Sequence, residues 1–147
     1  MAFVEIERKF KVNEMPDLSQ YKFKELTQGY LNRNPVVRVR KEDDEYYLTY
    51  KGKGLLEHEE YNLPLNKESF DNLIKKSDGK IITKKRYLIP YDKYTIELDI
   101  FEGDLSGLVI AEVEFESKEE AMAFNAPSWF GEDVTNDPSY SNSKLSQ

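Results

Sequence analysis

The feature that most limits how this chain can fold is an alternation of charged and apolar residues, repeated through one short segment after another. Successive side chains on a β-strand point to opposite sides. Near the N-terminus Val4, Ile6, Phe10 and Val12 share one side with Arg8, opposite Glu5, Glu7, Lys9 and Lys11. Arg38 and Arg40 stand opposite Val37 and Val39, and Thr49 and Lys51 opposite Leu48 and Tyr50. Lys84 and Arg86 share a side. Glu97 and Asp99 oppose Ile96, Leu98 and Ile100, and Glu112 and Glu114 oppose Ala111, Val113 and Phe115. The period-two pattern predicts strands over roughly 3–12, 27–33, 36–42, 45–52, 57–64, 80–90, 93–102 and 108–117.

Two helices punctuate the strands. One follows Asn66, a good N-cap, carries Phe70, Leu73 and Ile74 on one face and is expected to end near Gly79. The other starts at Ser117, with Glu120 three residues on as in a capping box. The tail from Pro127 to Gln147 reads as irregular, with Trp129 and Phe130 in need of a packing site. The expected architecture is mainly β (α+β), a single domain over residues 1–147.

An antiparallel sheet with one wet face shows the same alternation. Here, however, several strands carry paired charges at i and i+2, some acidic and some basic, with few neutral polar residues between them. About eight antiparallel strands can close into a barrel. The charged faces then line a lumen, and the apolar faces point outward, where the helices and the Trp129–Phe130 tail cover them only in part. Buried ions must be paired or liganded. Clustered carboxylates suit hard divalent cations such as Mg²⁺ or Mn²⁺. Clustered Lys and Arg suit phosphate oxygens. Together they describe a metal–polyphosphate site, where catalysis needs positioning and charge neutralisation more than a covalent nucleophile.

Composition excludes several alternatives. Cys is absent, so disulfides, thiolate metal sites and Cys nucleophiles are excluded. Lys and Arg total 21 against 28 Asp and Glu, a net charge of -7 that disfavours general nucleic-acid binding. No apolar run reaches the length of a membrane span, and the charged, strand-like N-terminus does not read as a signal peptide. The expectation is a cytoplasmic protein with a small-molecule partner, no nucleic acid and no membrane.

Glu5-Ile6-Glu7-Arg8-Lys9 reads as E-x-E-x-K in the opening strand. Further motifs follow: Arg38-Val39-Arg40, Lys51, Lys84-Lys85-Arg86, Glu97-Leu98-Asp99 and Glu112-Val113-Glu114. In this order they resemble the CYTH superfamily, the triphosphate tunnel metalloenzymes. The closing segments Trp129 to Thr135 and Asn142 to Leu145 resemble its small bacterial inorganic triphosphatases. The resemblance implies an eight-stranded antiparallel closed β-barrel with a central tunnel and a few flanking helices. It implies hydrolysis of inorganic triphosphate to diphosphate and phosphate with one or two Mg²⁺ or Mn²⁺ ions.

On this basis Glu5, Glu7, Glu112 and Glu114 are expected to bind metal, and Lys9, Arg38, Arg40, Lys51, Lys84 and Arg86 to bind phosphate. Glu60, Glu97 and Asp99 are expected to hold a second ion, orient water or position the basic residues. Lys11 and Lys53 are expected at the rim. His58, the single His, reads as a surface or rim residue, and Asn62 stands where many members carry a second Glu. Tyr46, Tyr50 and Tyr87 are expected to pack outside, while Tyr30 and Tyr47 are candidates for the lumen. Two other functions remain open: a class IV-type adenylate cyclase or nucleoside or thiamine triphosphatase, and a non-catalytic polyphosphate-binding module.

Overall fold

The alternating segments are rich in Val, Ile, Tyr and Phe, which fit a pleated surface. The computed structural model describes residues 3–54 and 56–147. Nine strands form among them: β1 (Phe3–Val12), β2 (Lys22–Arg33), β3 (Val36–Glu42), β4 (Glu45–Lys51), β5 (Glu57–Leu65), β6 (Asp78–Tyr91), β7 (Tyr94–Phe101), β8 (Val109–Phe115) and β9 (Phe130–Asp133). Three helices accompany them: α1 (Lys67–Ile74), α2 (Lys118–Ala123) and α3 (Asn142–Leu145). The sheet runs β5-β4-β3-β2-β6-β7-β8-β1-β9, and β1 also pairs with β5. That pairing closes the first eight strands into an antiparallel barrel and removes their free edges. β9 pairs with the later part of β1, beyond the β5 contact.

Two tight hairpins set the register. Glu42 faces Glu45 across Asp43-Asp44, and Tyr91 faces Tyr94 across Asp92-Lys93. Asp43 and Asp92 take φ of 51° and 55°, a conformation that Asp tolerates in two-residue turns. The register then carries one side of every strand to the same place. Going round the barrel, Glu5 opposes His58, Lys51 opposes Glu60 and Arg38 opposes Thr49. Gln28 opposes Arg40, Leu26 opposes Lys84 and Arg86 opposes Asp99. Glu97 and Lys9 both oppose Glu112, and Glu7 opposes Glu114.

The apolar core is therefore divided. The larger part lies outside the barrel wall, where Ile6, Phe10, Ile96, Leu98, Ala111 and Val113 pack under Ala121 of α2, Phe124, Trp129 and Phe130. The smaller part blocks one end of the lumen. Tyr30, Ile82, Phe101 and Ile110 meet Tyr140 and Leu145 of the C-terminal segment there. Phe70 of α1 packs on Tyr46 across 5.3 Å. Val4 and Leu63 remain 58% and 56% exposed, so the outward apolar faces are covered only in part.

Several boundaries differ from the sequence reading. β2 starts at Lys22, five residues earlier than expected, because Lys22–Leu26 pairs with Lys84–Leu88 of β6. α1 stops at Ile74, and Gly79 lies inside β6, where φ of 82° and Ser146 against its Cα suit glycine. The tail is ordered rather than irregular. Val134 N donates to Lys9 O at 2.9 Å, Lys80 N donates to Ser146 O at 2.6 Å, and Arg33 donates to Ser143 O and the Ser146 hydroxyl. These tertiary contacts hold segments too short and polar to show a period of their own.

Candidate functional site

β1, β5 and β8 place the carboxylates. Glu5 and Glu7 are two residues apart on β1 and so face the same way. Glu5 Oε1 lies 2.5 Å from His58 Nε2 and 3.3 Å from Lys51 Nζ. Oxygens of Glu5 and Glu7 and a ring nitrogen of His58 all fall within 4.8 Å of one another. Glu7 is 6% exposed; burial and the nearby charge of Glu112 push its carboxyl up to about 8. Glu114 is open to solvent at the mouth, yet desolvation and the charge of Glu97 raise it to about 9. Desolvation opposes ionisation of Glu5 and Glu112 too. At Glu5 the His58 hydrogen bond, the Lys51 charge and the Glu60 hydrogen bond together outweigh it, and at Glu112 the charges of Lys9, Arg86 and Lys84 together do; both are held well below the usual carboxylate range. Glu60 Oε2 is buried without a hydrogen-bond partner.

β3, β4 and β6 place the cations, which differ in how far acids already occupy them. The Arg86 guanidinium grips Asp99 twice, at 2.7 and 2.9 Å, and also meets Glu112 at 2.9 Å and Glu97 at 3.2 Å. Lys84 Nζ, fully buried, donates to Asp99 Oδ2 at 2.6 Å. Arg40 Nε donates to Gln28 Oε1 at 2.8 Å. Arg38 makes one long bond, 3.4 Å to Thr49 Oγ1, and its Nε is buried with no partner. Burial and then the charges of Arg38 and Arg86 draw Arg40 down to about 10. A crowd of carboxylates thus faces a crowd of guanidinium groups in one lumen. Each would be relieved by a ligand of opposite sign, a cation for the first and a polyanion for the second.

Two cavities open within the wall. One, of about 320 Å³, is lined by Glu5, Glu7, Arg38, Arg40, Lys51, Glu60, Arg86, Glu97, Glu112 and Glu114, with Tyr47, Thr49, Asn62 and Asn142. The other, about 290 Å³, shares Glu7, Lys51 and Asn142 with it and continues past Lys9, His58 and Lys53 to the C-terminal segment.

Most of the residues singled out in the sequence are thus brought together. Lys84 and Asp99 are not on either cavity wall; they lie beneath it, paired with each other. Lys9 is on the second cavity rather than the first, 4.0 Å from Glu112. Tyr47 lines the first cavity, and Tyr30, 2% exposed, lines the second while packing in the apolar stopper. Lys11 lies outside both, paired with Glu132. His58 requires a correction: it is no surface or rim residue but 7% exposed and bonded to Glu5. Its parity with Glu60 and Asn62 on β5 was the available signal. Gln28 and Asn142 were also missed, whereas Thr49, expected on the charged side with Lys51, does line the first cavity. Gln28 is a neutral side chain whose facing depends on register, and Asn142 arrives from the tail.

The sequence profile of the CYTH domain matches residues 4–144. The chain belongs to the CYTH family. Two curated relatives are inorganic triphosphatases. That of Nitrosomonas europaea is 40% identical over 146 residues, covering 96% of this chain and 95% of the relative. That of Acetivibrio thermocellus is 39% identical over 147 residues, covering 96% and 92%. The crystal structure of the inorganic triphosphatase NE1496 superposes with a TM-score of 0.72 at 38% identity, covering 97% of this chain and 93% of that one. In this CYTH chain no helix of the described residues is long and apolar enough to cross a membrane.

Proposed function

We propose that this chain hydrolyses inorganic triphosphate to diphosphate and phosphate inside the barrel, with the help of a divalent cation. The observation that carries the reading is the meeting of both like-charged clusters on one cavity of about 320 Å³. A binding module for polyanions alone gains nothing from carboxylates beside the phosphates. The lumen fits a cation: Glu5, Glu7 and His58 converge within 4.8 Å, and burial and then the charge of Glu112 raise Glu7, an unfavourable ionisation that a cation would relieve. Mg²⁺ and Mn²⁺ are the ions such donors suit, held by Glu5 and Glu7 and supported by Glu112 and Glu114. When bound, such an ion supplies charge neutralisation on the phosphate oxygens and a more acidic water.

The protein's own groups do the rest. Arg38 and Arg40, the least committed guanidinium groups, take phosphate oxygens, and Lys51 and Lys9 extend that grip toward the second cavity. Arg86 faces the same oxygens with its plane fixed by Asp99, Glu97 and Glu112. Lys84 acts from beneath, sharing Asp99 with Arg86. Glu60 orients Lys51 and Asn62. Fixed donors of this kind stabilise charge on the transferring phosphoryl group without reorganising during the step.

In the first cavity the one aromatic wall, Tyr47, is surrounded by charged residues, and a nucleoside on the triphosphate has the second cavity to extend into. Its one aromatic wall, Tyr30, is 2% exposed and has the Arg33 guanidinium 5.4 Å from its ring centre, so no open face awaits a base. Inorganic triphosphate should therefore exceed ATP in kcat/KM by at least ~10-fold, about 1.4 kcal/mol of transition-state binding. Initial rates on both, with products separated by chromatography, test this. ADP and phosphate are the expected products of any ATP turnover. Cyclic AMP with diphosphate as the main products would overturn hydrolysis, and equal turnover of ATP would overturn the choice of substrate.

A further inference from the structure

The sole histidine stands where the carboxylates converge. His58 is carried there by β5, whose positions 58, 60 and 62 all face the lumen, and it lies directly across the strand pair from Glu5. It is 7% exposed, and its Nε2 sits 2.5 Å from Glu5 Oε1 and 3.8 Å from Glu60 Oε2. Its other nitrogen, Nδ1, is buried with no hydrogen-bond partner among the described residues. Among the described residues the ring's polar contacts are therefore with the carboxylates. A ring nitrogen of His58 and oxygens of Glu5 and Glu7 lie within 4.8 Å of one another. A six-coordinate ion with ligands at ~2.1 Å spans roughly 4.2 Å between opposite ligands, so small side-chain adjustments bring all three donors onto one ion.

We propose that His58 is a nitrogen ligand of the divalent cation held by Glu5 and Glu7, and that it shifts this lumen from Mg²⁺ toward Mn²⁺ or Co²⁺. The proposal rests on the reading of the lumen as a cation site. Mg²⁺ is a hard ion that keeps oxygen ligands and water, whereas imidazole suits the later divalent metals, whose affinity for mixed nitrogen and oxygen sites is higher. An all-carboxylate lumen would lack that bias.

The chain contains one His, so any imidazole bound to a metal ion must belong to His58. Pulsed electron paramagnetic resonance on the full, untagged chain loaded with one equivalent of Mn²⁺ should show coupling to a directly bound ¹⁴N. Labelling with ¹⁵N-histidine should replace it, without any mutation that could disturb folding. Calorimetric titration with MnCl₂ and MgCl₂ should give a Mn²⁺ affinity at least ~10-fold weaker in His58→Gln and a Mg²⁺ affinity changed by less than about 3-fold. Absence of nitrogen coupling in the wild-type chain would overturn the proposal, as would equal weakening of both metals, which marks a residue that only positions Glu5. Phosphate release from tripolyphosphate by the same wild-type sample separates the two readings. Hydrolysis without nitrogen coupling removes the ligand but keeps the active site; no metal binding and no hydrolysis removes both.

Discussion

Glu7 is the residue whose surroundings make the sharpest demand. A carboxyl whose folded pKa lies above its unfolded one favours folding at low pH and loses that advantage as pH rises through the folded value. Glu7, raised from 4.5 to about 8, is of this kind, and Glu114 is too. Glu5 and Glu112 have the opposite sign: their contribution is present above about 4.5 and lost as pH falls. Without divalent ions the melting temperature should therefore fall on the acid side, and also decline between pH 4.5 and 8 as Glu7 ionises beside Glu112. Glu7→Gln should flatten the second decline, which thermal melts in chelator across that range would show; an unchanged alkaline slope contradicts the crowding. Asp99 makes a different demand, because among the described residues it is the carboxylate in direct contact with Lys84 while also holding Arg86. Asp99→Ala leaves two buried cations short of a partner and should cost about 3–5 kcal/mol in urea unfolding. A loss under ~1 kcal/mol would mean that Glu112 and Glu97 suffice. Strand parity alone reached the acids and bases of the lumen. It did not reach Gln28, whose polarity fits either side of a strand until the register is known; His58 shares the parity of Glu60 and Asn62, but parity alone does not tell a buried imidazole from one at the rim. Nor did it show that Lys84 and Asp99 lie beneath the cavity wall, since depth follows from strand tilt and from the apolar stopper.

Elements with a strong period were the legible ones. The barrel strands over 36–42 and 45–51 follow directly from alternation and from the two-residue acidic turn between them. The C-terminal segment was not, because its order comes from contacts with distant strands: β9 on β1, Leu145 in the stopper, and Ser146 against β6. Gly79 reports on that packing. A Cβ there would sit 2.3 Å from Ser146 O, whereas one on Gly107 meets nothing within 4 Å; both residues have positive φ, 82° and 100°. Each Gly→Ala change carries the backbone strain, but only Gly79→Ala also pushes the tail away. Gly79→Ala should therefore be less stable than Gly107→Ala by at least ~1 kcal/mol in chemical unfolding, on the scale of other backbone and packing effects. Equal costs would show that the tail does not brace the barrel.

At the scale of the molecule the fold is inverted relative to a common sandwich. Its larger apolar core lies outside the barrel wall, and its charges lie within. That arrangement is stable only if the inner charges are paired or liganded, and the acids and bases here are paired incompletely: Arg38 Nε is buried with no hydrogen-bond partner, and Glu60 Oε2 has none either, only the longer approaches of Lys51 at 3.7 Å and His58 at 3.8 Å. The lumen therefore needs a cation and a polyanion together, and it should work only with both. The direct measurement is phosphate release from inorganic triphosphate by the full chain, first in excess chelator and then with Mg²⁺ or Mn²⁺ restored. Hydrolysis should vanish in chelator and return with either ion, while Glu7→Gln, still folded, should stay at least ~10²-fold slower at saturating metal. Undiminished hydrolysis in excess chelator would contradict the assignment of the lumen as a metal-dependent triphosphatase site.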